Sequence, residues 1–392
     1  MEAPGSRSRI ESIVALLTSN GFPKFTFNHD SPNAGAMTMQ DLAPEIMVHI
    51  YECLTSVSDI INLSLTCRYF HDLLPKSQKL SLFFSALDKE MGPLDDILQL
   101  LTQNDNQMLH VRRTPPLSFA LLTQAAAVGR TAGRLVTLYP SFRWTEAESM
   151  SRRFLDDTEA RRLRRAVYRF WSYTQAFHGR FGRMLRFDMM PSNERLQLLR
   201  TWPTEELYEL EDLRCTFEQV VATEICPTDG EVWSRMPDDA RHFHVHGPHA
   251  PLHTSFDRGS YHGSVRGSYR DIFHTSHDMA VLDRTKPSVQ ELRHKHMSGW
   301  GSDVHSFYLV QSFLKFSPAQ ILWLYDNAVS KADVEKYVEA QTGDTCFFES
   351  GSMLFHDWAA VLHTRGVDVQ LTREAIWQGT AGIVLDRPST ET

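Results

Sequence analysis

A chain of 392 residues is long enough to bury a substantial core, and apolar and charged fractions of 42% and 22% are those of a globular protein rather than a disordered one. The longest mostly apolar run, Leu80 to Leu87, is too short to cross a bilayer, and Met1-Glu-Ala-Pro lacks the basic and apolar regions of a secretory signal. Net charge is −8, but the window 151–190 holds ten Arg against four acids and stands at +6, leaving −14 for the remainder. The five cysteines, Cys53, Cys67, Cys215, Cys226 and Cys346, contain no Cys-x-x-Cys pair, so neither a disulfide framework nor a zinc finger is indicated and the cytosol or nucleus is the expected compartment.

Taken in order, residues 1–37 read as an arm and linker: Ile10 to Leu17 has the makings of one weak helix, and Pro23, Pro32, Asn33 and Gly35 come after it. Residues 38–76 read as a module of three short helices. Pro44 with Glu45 favours a helix start, with Asp41 upstream as a cap. Ile46, Ile50, Cys53 and Leu54 make one apolar stripe, while Met47, Val48 and Tyr51 make another on the opposite side, so this helix needs cover on both faces. Asp59 is placed to open the second helix, which Ile60, Leu63 and Ser64 continue; Thr66 to Phe70 leads into the third, closed by Leu73, Leu74 and Pro75.

Residues 77–236 carry helical periodicity at Lys79–Glu90, Pro93–Leu101, Leu117–Tyr139, 158–178 and from Pro203 onward. In 158–178, Thr158 is the expected cap. Leu163, Ala166, Val167, Phe170, Trp171, Thr174 and Phe177 share one face, and Arg161, Arg162, Arg164, Arg165 and Arg169 share the other. Residues 237–287 lose that period and accumulate Gly, Ser and His, which reads as a long surface loop. Helical signals return in 288–392, as the C-terminal part of the same domain, at Val289–Met297, Val304–Phe316, Pro318–Asn327, Asp333–Gln341, Phe355–His363 and Thr372–Trp377. The fold class expected is therefore mainly α: a three-helix N-terminal module followed by an irregular α-helical domain interrupted by a long His/Gly/Ser-rich loop. No fixed-period repeat is present.

The order Leu42, Pro44, Glu45, Ile46, then Ile50, Leu54, Asp59, Ile60, Leu63, Cys67, Arg68, Phe70 and Leu74 resembles an F-box, with Ala43 where that family's pattern has its first Pro and Phe70 where many members have Trp. A core needs apolar periodicity but has no need of Pro-Glu, Asp-Ile and Cys-Arg-x-Phe at these offsets. The run Glu159 to Trp171 is similar to the helical region downstream of the F-box in many fungal F-box proteins. The resemblance implies a non-enzymatic substrate-recognition subunit of a Skp-cullin-F-box ubiquitin ligase. It implies as partners a Skp-type adaptor, a cullin through that adaptor, and a protein substrate, and as adaptor-binding residues Leu42, Pro44, Glu45, Ile46, Ile50, Leu54, Ile60, Leu63, Cys67 and Phe70.

Two further clusters invite chemistry. Eleven of eighteen His fall between His242 and His305, and His242-Phe-His-Val-His246 places alternate imidazoles on one side of an extended chain, the arrangement a metal-dependent enzyme would use; a solvated His-rich loop is the competing expectation. The Arg band suits phosphates of a nucleic acid or phosphopeptide. The competing expectation is a solvated helix face pairing with acids of the next helix, among them Glu205, Glu206, Glu209, Glu211 and Asp212. Nucleic acid is disfavoured by the acidic total. Gly-x-Ser-x-Gly, Walker, His-Glu-x-x-His and Rossmann signatures are absent from the sequence, so no catalytic residue, cofactor or metal is assigned, and no membrane partner.

Overall fold

The computed structural model describes residues 43–73, 76–103, 109–144, 152–178, 192–235, 298–343 and 350–385, with short pieces at 288–289, 292–293 and 347–348. The arm with Ile10–Leu17, the proposed cap Asp41, Leu42, Leu74, Pro75, Cys346 and the His-rich stretch 237–287 lie outside the described residues, as does most of Val289–Met297. Within them the chain is mainly α, with no strand.

Three short helices come first: α1 (Pro44–Cys53), α2 (Val57–Thr66) and α3 (Arg68–Asp72). They are followed by α4 (Lys76–Met91), α5 (Leu94–Leu101), α6 (Phe119–Arg143) and α7 (Asp157–His178). Next are α8 (Ser192–Arg200), α9 (Thr204–Val220) running into a π turn at Val221–Ile225, and α10 (Asp229–Arg235). The last group is α11 (Asp303–Phe313), α12 (Pro318–Asn327), α13 (Lys331–Thr342), α14 (Leu354–Thr364) and α15 (Val369–Trp377).

The body is built around α7 and α9, which pack on each other; α5 and α6 lie against α7, and α14 and α15 against α9. The α7 sequence is the reason: Leu163, Ala166, Val167, Phe170 and Tyr173 recur every three or four residues and all are fully buried. Phe170 meets Phe217 of α9 edge to face at 5.1 Å. One apolar core runs from Tyr51 in α1 to Val384 after α15.

Local physics corrects several boundaries. Asp156, not Thr158, caps α7: its carboxylate accepts from the Glu159 N–H at 2.8 Å, and Glu159 accepts from the Asp156 N–H at 3.0 Å, the reciprocal arrangement that satisfies two orphan donors. Helix α6 passes its expected stop at Tyr139 because Pro140 sits in the last turn, where its missing N–H costs one bond, and because Phe142 and Arg143 are both anchored. Phe142 packs edge to face on Tyr325 at 5.3 Å, and Arg143 donates to the carbonyls of Ile376 and Trp377. Helix α6 also approaches α4 closely at Gly129, where a Cβ would stand 2.3 Å from the Met91 sulfur.

Candidate docking face and the arginine seam

Helix α1 begins with Pro44 in its first turn, where the missing N–H is no loss, and with Glu45 beside the helix N-terminus; Ala43 occupies the cap position without a side-chain bond. Its two apolar stripes separate. Met47 and Tyr51 are fully buried, whereas Ile46 keeps 50% of its surface exposed and Ile50 is half-buried. Helix α2 is capped by Ser56, whose hydroxyl accepts from the Ser58 N–H at 3.2 Å; Asp59, expected to open the helix, lies within its first turn. Val57, Ile60 and Ile61 form the inward stripe, and Ser64 continues it one turn on.

Tyr51 joins the three helices. Its hydroxyl donates to the Phe70 carbonyl of α3 at 3.2 Å and lies 3.3 Å from the Ser64 hydroxyl of α2, which itself donates to the Ile60 carbonyl at 2.7 Å. Burial raises the Tyr51 pKa, which keeps the phenol protonated for these bonds. The module is also held from α4. Lys89 donates to the carbonyls of Glu52 and Leu54 at the end of α1, at 2.7 and 3.5 Å, and Glu90 accepts from the Val57 N–H at the start of α2, at 3.1 Å. A cation on helix-end carbonyls and an anion on a helix-start amide both complement the helix dipoles.

Among the residues singled out from sequence, Pro44, Glu45 and Ile46 are exposed, Ile50 and Cys67 are half-buried, and Leu54 and Leu63 are half-buried against the common core. Ile60 and Phe70 are interior, so they shape the module from within. Two exposed apolar residues escaped the sequence reading: Leu65 at 52% exposure, and Tyr69 of α3. Helical period alone does not mark Leu65, which stands one turn beyond buried Ile61; its exposure is set by how α2 packs.

The Arg band of α7 forms a seam of ion pairs. Arg165 reaches Glu206 at 3.0 Å and Glu209 at 2.5 Å, while Arg169 reaches Glu206 at 2.5 Å and Asp96 of α5 at 3.3 Å. Arg162 lies 4.0 Å from Glu209 and Arg161 3.8 Å from Asp88. The pairing expected with the neighbouring helix is therefore present through Glu206 and Glu209, but the seam is largely buried instead of solvated. Arg169 is packed over the Trp202 ring at 5.1 Å, and burial raises the pKa of Glu209 against the pull of Arg165. Glu211 serves Arg214 and Arg373 instead, and Asp212 accepts from Tyr139 and the Ile383 N–H. With Arg162, Arg165 and Arg169 engaged by carboxylates, the band offers phosphates no continuous cationic track.

His242, His244 and His246 fall outside the described residues, and among the described residues no group of three His, Cys, Asp or Glu side chains is arranged to hold a metal ion. No helix of the described residues is long and apolar enough to cross a membrane. The four described cysteines, Cys53, Cys67, Cys215 and Cys226, are free thiols. No curated protein and no solved structure matches the chain. The family model of the F-box-like domain matches residues 39–78, the stretch that forms α1, α2, α3 and the start of α4. The chain is thus an F-box-containing protein, with its F-box-like domain fused to a mainly α body.

Proposed function

We propose that this protein is the substrate-recruiting subunit of a Skp-cullin-F-box ubiquitin ligase, working in the cytosol or nucleus and performing no chemistry of its own. The observation that carries the reading is the F-box-like domain, whose apolar side chains Ile46, Leu65 and Tyr69 remain exposed while Met47, Tyr51, Ile60 and Phe70 complete its interior. Pro44, Glu45, Ile46 and Ile50, with Leu42 just upstream, meet the Skp-type adaptor directly, joined by Leu65 and Tyr69. Leu54, Ile60, Leu63, Cys67 and Phe70 hold that surface in shape. A cullin is recruited through the adaptor, and the helical body presents the substrate. Large apolar anchors suit this task, each contributing about 1.5–3 kcal/mol when fully buried, less the cost of association.

The test uses Ile46→Asp with Leu65→Asp in the full chain. Both positions are exposed, so the variant is expected to melt within a few degrees of wild type while capture of a purified Skp-type adaptor falls by at least about tenfold, as for a truncated hot spot. Leu54→Asp, by contrast, places a charge against the core and is expected to unfold the module. Unchanged adaptor capture by the folded double variant would remove the proposal.

A further inference from the structure

Helix α11 carries two apolar stripes, and among the described residues its first two turns are packed on one side only. Leu309, Val310 and Phe313 point into the core, with Ser306 donating to the Cys226 carbonyl at 3.1 Å. On the other side Val304, Phe307 and Tyr308, spaced i, i+3, i+4, are 68, 55 and 66% exposed, the two rings set edge to face at 5.7 Å. One turn further along, the same face is covered. Segment 350–352 crosses it, with the Ser352 N–H donating to the Gln311 carbonyl at 2.9 Å and the Ser312 hydroxyl donating to the Ser350 carbonyl at 3.4 Å. Gly351 lies so close that a Cβ there would stand 3.0 Å from that of Gln311. The uncovered turns therefore end at a step, and exposed Met353 comes just after the crossing.

The other end of the face is acidic. Asp303 is exposed in the first turn of α11, and Asp229, also exposed, accepts from the Gly301 N–H at 3.2 Å. The nearby Lys331 ammonium is seated over the Trp300 ring at 4.7 Å. With an aromatic side chain taken as ~200 Å², the three uncovered side chains present about 300 Å² of apolar surface. A two-fold contact through this face would bury about 600 Å² in total, half the ~1,200 Å² of a small stable interface, and would set two acidic rims together. A second copy is therefore a poor occupant, and a short segment of opposite charge a good one.

We propose that Val304, Phe307 and Tyr308 receive the substrate, as a short peptide segment whose apolar side chains lie along α11 against the Gly351 step and whose lysine or arginine meets Asp303. That the occupant is a substrate rests on the ligase reading; that the face binds such a peptide does not. The test is selection of a random displayed short-peptide library on the full chain, followed by anisotropy titration of the enriched peptides. Those peptides are expected to pair apolar residues with Lys or Arg. Their affinity should fall by about tenfold or more in Phe307→Ser with Tyr308→Ser, by less in Asp303→Asn, and with added salt. Val304→Asp serves as the second variant, with a melt as folding control, and adaptor capture is expected to be unchanged in all. Failure to enrich any peptide would overturn the proposal, as would equal binding by the folded variants, or dimerisation of wild type that the double variant abolishes. Loss of adaptor capture by wild type itself, with peptide binding intact, would sink the ligase reading and leave this face standing.

Discussion

Asp212 is a buried carboxylate of α9, and Asp212→Asn isolates what its charge does. The side chain accepts from the Tyr139 hydroxyl at 3.0 Å and the Ile383 N–H at 2.8 Å, tying α9 to α6 and to the segment after α15. Arg143, Glu211 and Tyr139 are the titratable or charged groups that act on it. Burial pushes its pKa up from 3.8 to about 6, outweighing the amide bond and the Arg143 charge, which pull it down. A folded-state pKa above the unfolded one means that the native state holds the proton more tightly. The associated stability is present in full below pH ~4 and is lost as pH rises through ~6. At about 1.4 kcal/mol per unit, the loss is on the order of 3 kcal/mol. Asparagine keeps an acceptor for Ile383 and a donor for the Tyr139 oxygen, but carries no charge. Urea denaturation of both proteins between pH 4 and 8 is therefore expected to show the variant more stable by about 1–3 kcal/mol at neutral pH, with the gap closing toward pH 4. A gap that stays constant across that range would refute the reasoning.

Two further predictions concern the body. Arg169→Ala leaves Asp96 without its guanidinium in a largely buried seam, leaves Glu206 to Arg165 alone and strips the Trp202 ring of its cation, so a loss of about 3–5 kcal/mol is expected in chemical denaturation; a loss below ~1 kcal/mol would show that the seam is solvated. Gly382→Ala forces a Cβ to 2.6 Å from the Asp212 carboxylate at φ +100°, so the segment carrying the Ile383 N–H must move. A cost of about 2–3 kcal/mol in the same assay is expected, and a neutral outcome would place the anchor elsewhere.

What could be read from sequence depended on whether a residue's role was local. The inward stripe of α7 and the double stripe of α1 were legible because helical period alone separates Leu163, Phe170, Met47 and Tyr51 from their neighbours. Asp156 was also legible in principle, since Asp156 and Glu159 stand three apart in the capping-box spacing; Thr158 merely lay nearer the first apolar residue. Helices α8 and α10 were not read, because both are short and polar and take their support from elsewhere in the chain. Arg195 of α8 is fixed by Asp357 of α14 at 2.7 Å, and Asp229 of α10 by Gly301. The fate of the Arg band turned on which helix lies beside α7, a tertiary fact, although the acids of α9 had pointed to it. At the candidate docking face, the F-box pattern marked residues by position, but only packing separates outward Ile46 and Leu65 from inward Ile60 and Phe70.

The two faces assigned to partners are connected by packed helices throughout. Lys89 and Glu90 of α4 cap α1 and α2, and the end of α4 is in turn held by α7: the Tyr168 hydroxyl donates to the Met91 carbonyl at 2.5 Å, and Arg161 lies 3.8 Å from Asp88. Helix α7 packs on α9, which continues into the π turn, and α11 rests on that turn and bonds the Cys226 carbonyl just beyond it. Each junction combines buried apolar contact with at least one side-chain bond to backbone or an ion pair, so none resembles a linker in which rotation is free. In the ligase role proposed above, that continuity would hold the substrate at a set distance from an enzyme carried by the other partner, because effective concentration at the acceptor falls as the connection lengthens or loosens. The same continuity explains why an acid such as Glu90, far from either docking face in role, is used to start α2: the cap fixes the angle at which the exposed residues of the F-box-like domain leave the body.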